Sequence, residues 1–378
     1  MTTQLAVFNL YGIAIASDTL ASLRTPSGFK YSFGNSKIWE PGGDHKFVVY
    51  HSGAALFNSM PHQIHVESWF RTLTKPLPTL NDYAESYKKF CAGKASTHTA
   101  ASEPTLVKAL FSELANMMRN YALDEASPEN KDEWNANLVE QANQALKYYN
   151  EIQNFPKTSL TWAEETIAAS KINMRKELKE VFEEGFPPKF YNTFVKAFKK
   201  FLVTQCGSDG DSTLTFAGYG ANDLYVSVRK INFRGILNGR VLYKTINEQT
   251  LEPVNNFRGL LYGAQNDAMW GFVQGFRSPV RSHLSNILAN HLPDGEDKDS
   301  KIEKVIEDLT SATDSDYVNP FFRRLSSCSV KELAETARDM INLQLLSAKL
   351  SGTQETVGGD VELLTIDKVN GIRWINRI

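Results

Sequence analysis

The sequence predicts an α+β chain in which two packed sheets lie between layers of helix. Three observations carry this. The apolar stretches 12–16 and 47–50 are continuous rather than alternating, as expected of strands buried on both faces. Strand signals return at 212–233, 239–247, 360–367 and 371–376. Long segments of helical period separate these groups, and two sheets covered by outer helices satisfy that order.

Taken along the chain, residues 3–50 read as strands bounded by Gly, Pro, Asn and Ser turns. A helix is predicted over 60–73, and 80–205 carries little strand signal, so it reads as a helical insertion within one domain spanning 1–378. Inside it, Thr161 and Glu164 have capping-box spacing and predict a helix running toward Phe182. After Pro187 and Pro188, the rings of Phe190, Phe194, Phe198 and Phe201 recur at near-helical spacing against Lys189, Lys196, Lys199 and Lys200, which predicts a packed face with a solvated side. The run Cys206 to Ser212 reads as a polar turn between helix and strand, because it lacks the later glutamate of a calcium loop and the G-x-S-x-G pattern of a serine nucleophile elbow. Further helices are predicted at 267–292, 301–309 and 330–350. The last opens with the capping box Ser329 to Glu332 and buries Leu333, Ala337, Met340, Ile341 and Leu345.

The 378 residues are 42% hydrophobic, enough for a substantial core. The 41 basic and 43 acidic side chains leave a formal charge of -2, which gives no electrostatic reason to invoke nucleic acid or an anionic membrane as a partner. No apolar run approaches the roughly 20 residues of a spanning helix. Cys91, Cys206 and Cys328 are odd in number and far apart, which suits a reducing cytoplasm. His62 and His65 could share a helix face, but no carboxylate or cysteine stands at ligand spacing beside them. They read as a partly exposed helix start, and neither metal nor cofactor is called for.

Chemistry is concentrated at the N-terminus. Threonine at position 2 is small enough for removal of Met1, which would leave an α-amine beside a hydroxyl on one residue. The hydroxyl is too weak an acid to attack an amide unaided. An α-amine of pKa roughly 7.7–8.0 can take its proton near neutrality, so no histidine is needed.

The order Thr2-Thr3, Gly12, Ala16-Ser17-Asp18-Thr19, Lys37 and the turn His51-Ser52-Gly53-Ala54-Ala55 resembles the N-terminal threonine hydrolases, specifically proteasome β-subunits and their bacterial relatives. The loop 24–35 absorbs a short delay before Lys37. The resemblance resumes at 214–226, around Leu261-Tyr262-Gly263, and at 357–374, about half of the chain in all. It implies a four-layer αββα sandwich and amide hydrolysis through an acyl-enzyme. Thr2 would be nucleophile and base, Asp18 and Lys37 its electrostatic support, and the backbone N–H of Ser52, with Gly53 nearby, the oxyanion donor.

Two positions depart from that family. Its Gly-Ser-Gly stands here as Gly263-Ala264-Gln265, and its Asp-x-x-Ser-Gly as Gln354-Glu355-Thr356-Val357-Gly358. Gln265, Glu355 and Thr356 are then the candidate substitutes around the amine. Two alternatives to a peptidase stay open: a proteasome-like scaffold without catalysis, acting by self-assembly or binding, and a small-molecule amidase. The resemblance implies a homo-oligomer, with any partner ATPase undetermined.

Overall fold

The computed structural model describes residues 2–25, 28–32, 34–93, 102–293, 295, 297–351 and 357–377. The chain opens with β1 (Thr3–Asn9) and β2 (Gly12–Asp18), followed by a side hairpin of β3 (Ala21–Thr25) and β4 (Gly28–Ser32). Then come β5 (Ile38–Trp39), β6 (Lys46–Gly53) and the small hairpin β7 (Leu56–Phe57) and β8 (Met60–Pro61), which feeds α1 (His62–Phe70) and α2 (Leu80–Ala92). Five helices follow: α3 (Glu103–Glu125), α4 (Lys131–Glu151), α5 (Leu160–Ser170), α6 (Met174–Val181) and α7 (Pro188–Val203). Strands β9 (Ser212–Tyr219), β10 (Ser227–Leu237), β11 (Arg240–Thr250) and β12 (Arg258–Ala264) precede the helices α8 (Asp267–Gln274), α9 (Ser278–His291), α10 (Lys298–Thr313), α11 (Asn319–Ser326) and α12 (Val330–Leu350). The hairpin β13 (Val361–Asp367) and β14 (Gly371–Asn376) closes the fold.

Two five-stranded antiparallel sheets result, ordered β12-β1-β2-β13-β14 and β11-β10-β9-β6-β5. Their period-2 alternation assigns each side chain to a layer. Ala6, Phe8, Ile13, Ile15, Leu364 and Ile366 of the first sheet meet Ile38, Val48, Tyr50, Ala217 and Val228 of the second. Leu5, Val7, Ala14 and Ala16 point the other way, onto Met269 of α8 and Leu333, Ala337 and Ile341 of α12. Phe47, Val49 and Phe216 point outward from the second sheet onto Val66 and Trp69 of α1 and Tyr83 and Tyr87 of α2. The architecture is the four-layer αββα sandwich, and burial on both faces explains why β1 and β2 read as unbroken apolar runs.

Helix α2 covers the second sheet, whereas α3 to α7 share a separate core in which the four predicted phenylalanines of α7 are buried. The Phe111 ring lies edge-on to Phe194 and Phe198, at 5.1 and 5.0 Å between centroids. Two expected helices are each two. The predicted helix toward Phe182 starts at the Ser159 cap, whose side chain accepts from Trp162 N–H, and breaks where Lys171 turns left-handed at φ 54°. The helix expected over 267–292 breaks at Gly275, whose φ of 80° suits glycine. The capping box from Ser329 to Glu332 forms as its spacing predicts.

Phe111→Ala removes a fully buried ring with two edge-on partners. The expected cost is about 3–5 kcal/mol, read as a lowered chemical-denaturation midpoint at unchanged slope. A midpoint equal to that of the parent chain would mean that the helical core closes over the space.

Candidate functional site

β1 lies between β12 and β2, with Thr3 opposite Ala264 and Gln4 opposite Ser17. Thr2 immediately precedes this strand and is only 7% exposed; its carbonyl accepts the Gln265 N–H at 2.9 Å. Asp18, the last residue of β2, is completely buried. Its Oδ1 accepts the Thr3 N–H (2.9 Å) and the Lys37 ammonium (2.6 Å), and its Oδ2 accepts the Gly358 N–H (3.1 Å). Lys37 Nζ also donates to the Leu20 carbonyl at 2.8 Å. Asp18 and Lys37 are therefore brought together, with Asp18 anchoring the backbone beside Thr2.

Burial pushes the Asp18 carboxyl above its ordinary value, while Lys37 and the Thr3 and Gly358 amides oppose that shift. Burial likewise pushes the Lys37 ammonium down, against the pull of Asp18 and of Glu362. Glu362 is fully buried on β13, and its Oε2 accepts the Lys37 backbone N–H at 3.1 Å. Desolvation moves this carboxyl up as well. It stands opposite Ser17, so Gln4, Ser17 and Glu362 form a polar row across three strands at one end of an apolar interior. Gln4 Nε2 donates to Ser17 Oγ (3.2 Å) and to the His51 carbonyl (2.8 Å), which ties the row to the second sheet.

The turn after β6 departs in part from expectation. Ala54 N–H donates to Asp211 O (3.1 Å) and His51 N–H to Lys37 O (3.0 Å). Antiparallel alternation then assigns the Ser52 N–H to its β9 partner Thr213 and turns the Gly53 N–H to the opposite side, the side of Lys37. Gly53, rather than Ser52, directs its amide away from the β9 ladder. Gly53 has φ 93°, and a Cβ built there would lie 2.8 Å from Asp211 O, so only glycine fits this backbone.

Gln265 contributes through its backbone: its N–H holds the Thr2 carbonyl and its carbonyl accepts the Thr3 hydroxyl at 2.9 Å. Ala264, the residue before it, adopts a left-handed φ of 53°. Met1, Gln354, Glu355 and Thr356 lie outside the described residues.

His62 and His65 are not a partly exposed helix start, since they are 1% and 2% exposed. They pack beneath the turn because the outward face of β6 meets α1. The His62 ring stacks on His51 at 4.6 Å and 28°, and neither of its nitrogens has a hydrogen-bond partner among the described residues. His65 Nδ1 pairs with the Tyr87 hydroxyl at 2.9 Å. Burial lowers the His51 and His65 pKa values to about 4 each and lowers His62 well below the usual value. Sequence reasoning missed Gln4, Glu362 and His51 as members of this end of the sandwich. Their parity with Ala6, Leu364 and Phe47 was the available signal.

No protein-family model matches the chain, and no curated protein matches it. Among solved structures it is similar to the Anbu (Gly-1) mutant from Hyphomicrobium sp. strain MC1, at 11% identity over 99% of this chain and 87% of that one, with a TM-score of 0.28. The fold assignment rests on the chain's own sheets and layers.

Two outcomes are expected from this geometry. Gly53→Ala forces an L-residue into a left-handed conformation against a carbonyl and is expected to cost about 1–3 kcal/mol in thermal or chemical denaturation. The buried histidines also make stability depend on pH. Their folded values lie below the unfolded value of about 6.5, so the unfolded chain binds more protons. Their contribution is fully present above that pH and is lost as the pH falls from about 6.5 toward 4. His62→Phe, which keeps a ring in place, is expected to reduce the slope of stability against pH in that window by about 1.4 kcal/mol per unit. Parallel curves for the two chains would show that His62 charges without cost.

Proposed function

We propose that the chain is an N-terminal threonine amidohydrolase, acting on a peptide or other amide after removal of Met1. The observation that carries this reading is the buried Asp18–Lys37 pair with the Thr3 amide held on the same Asp18 oxygen, one residue from Thr2. A threonine that merely opened a strand would not require a desolvated ion pair beside it.

In this mechanism the Thr2 α-amine takes the hydroxyl proton as Oγ1 attacks the amide carbon. The Gly53 N–H receives the developing oxyanion. Collapse breaks the C–N bond, the leaving amine takes the proton held by the α-amine, and an ester to Thr2 remains. Water, deprotonated by the same amine, hydrolyses that ester and restores the hydroxyl. The Lys37 ammonium holds the α-amine below its ordinary pKa and stabilises the forming alkoxide, while Asp18 orients Lys37. A scaffold without catalysis is favoured by one specific observation. Position 264 is an alanine where the resemblance implies a serine, so that supporting hydroxyl is missing.

Intact mass of the purified chain is expected to show loss of Met1 and an unmodified Thr2 amine; retained methionine or acetylation would remove the base. An electrophile that closes a ring on both hydroxyl and amine of an N-terminal threonine is expected to label the chain at Thr2, with labelling abolished in Thr2→Ala. Amide turnover equal in the two chains would defeat the hydrolase reading. We further propose a homo-oligomer, which light scattering tests: a mass near the 42.4 kDa of one chain, unchanged on concentration, would exclude it.

A further inference from the structure

The His51 side chain lies across the turn formed by its own strand end. Its Nε2 is 2.7 Å from the Ala54 carbonyl, three residues ahead. A carbonyl only accepts, so Nε2 carries the hydrogen and any further proton must go to Nδ1. The imidazole thus bridges Ser52 and Gly53 from one side. From the other side, the Ala54 N–H is held by Asp211 O and the Ala55 carbonyl accepts the His62 N–H at 3.2 Å. The ring itself is confined between Trp39, at 5.9 Å and 22°, and His62, at 4.6 Å and 28°. Such a slot accepts a flat neutral ring and offers little to solvate a cation.

We propose that neutral His51 is a positioning residue that holds the Ser52–Gly53 turn closed, and that its protonation releases the turn.

The catalytic consequence rests on the hydrolase reading, in which the Gly53 N–H receives the oxyanion; the lock itself does not. Burial of the ring is the dominant influence on His51 and disfavours its cation, against the Ala54 carbonyl, which favours it. Lys37, at the head of β5, is a cation whose field disfavours a second positive charge. On α1, His62 and His65 are neutral and buried. Behind them on α2, burial raises Tyr87 and Cys91, which therefore stay uncharged in the acid range. The Asp211 carboxylate, before β9, is engaged by Arg234 at 3.2 Å and by Asn232 at 3.1 Å, leaving only its carbonyl on the turn. Among the described residues, the groups that act on the ring are thus the Ala54 carbonyl and the Lys37 cation rather than a carboxylate, and opening of the turn toward water is the route by which protonated His51 is solvated.

The test is hydrogen exchange of the segment 51–55 in the full chain, corrected for intrinsic rates, with β10 and α7 as internal controls. With His51 near 4 when the turn is closed and about 6.5 when open, protection should fall roughly twenty-fold between pH 7 and pH 5, beyond the fall that β10 and α7 show as the buried histidines lower overall stability. His51→Gln keeps a side-chain N–H donor but cannot titrate, so its protection should hold relative to the same controls across that range. His51→Leu should be weakly protected at both pH values. Acid loosening that persists in His51→Gln, or turn protection in His51→Leu equal to wild type, would overturn the proposal. Loosening that disappears only in His62→Phe would assign the switch to the wrong ring and overturn it equally. Where Thr2 is labelled, both chains should keep the acid limb set by the α-amine, and the wild type should lose more rate than His51→Gln as protection of the turn falls. A wild-type chain that never labels, yet shows the expected exchange, defeats the hydrolase reading alone.

Discussion

The desolvated carboxylate of Asp18 is the constraint on which this end of the molecule depends. An ionised carboxyl taken from water costs several kcal/mol, and only well-placed donors offset it. Here they come from three distant parts of the chain: Thr3 at the head of β1, Lys37 before β5, and Gly358 before β13. Both sheets and the entry to the last hairpin converge on one side chain. Removing Lys37 would leave a buried charge without its partner, at a cost of roughly 3–5 kcal/mol. A loss of activity in Lys37→Ala therefore has meaning only beside a measured fold. Lys37→Ala combined with Asp18→Asn separates the two effects, because it removes the charge with its counter-charge.

The helical segment is coupled to the same region through a second buried charge. Arg234 of β10 is 3% exposed and donates to the Phe201 carbonyl at 2.8 Å, at the end of α7, as well as to Asp211. Asp211 in turn accepts the Ala54 N–H through its carbonyl. Guanidinium planarity lets one residue cap a helix and brace a loop together. The core of α3 to α7 therefore reaches the Gly53 turn in few steps, although its helices lie outside the sandwich. Its size alone does not define its role; its attachment places it where it can bias the turn.

Legibility in the sequence followed the range of the interactions involved. The sandwich was readable because strands buried on both faces lose their alternation, and 330–350 was readable because Ser329 and Glu332 cap it locally. Asp18 and Lys37 were singled out by the resemblance that one stretch of chain, 2–55, carries. Glu362 was not, since its parity with Leu364 is a faint signal beside a charge that ordinarily marks a solvated strand residue. The pairing of β13 with β2 then puts it opposite Ser17 inside the sandwich. The helix breaks at Lys171 and Gly275 escaped because hydrophobic period continues across a single left-handed residue.

The preference for Ser52 over Gly53 as donor shows where counting along a strand stops being enough. Side chains on β6 alternate between the sandwich interior and α1, and backbone N–H groups alternate independently between β9 and β5. Position 52 sends its side chain inward and its N–H into the ladder with Thr213; position 53 has no side chain and turns its N–H toward Lys37. Position 51 places its ring on the helix side, against His62. Three consecutive residues thus serve three directions, and the phase is set by the pairing of Ala54 with Asp211. A one-residue slip in that pairing would send the Gly53 N–H into the ladder and the His51 ring into the sandwich. Register between β6 and β9, more than the identity of any one residue, therefore decides whether the Gly53 N–H stands where the proposed hydrolase mechanism needs it.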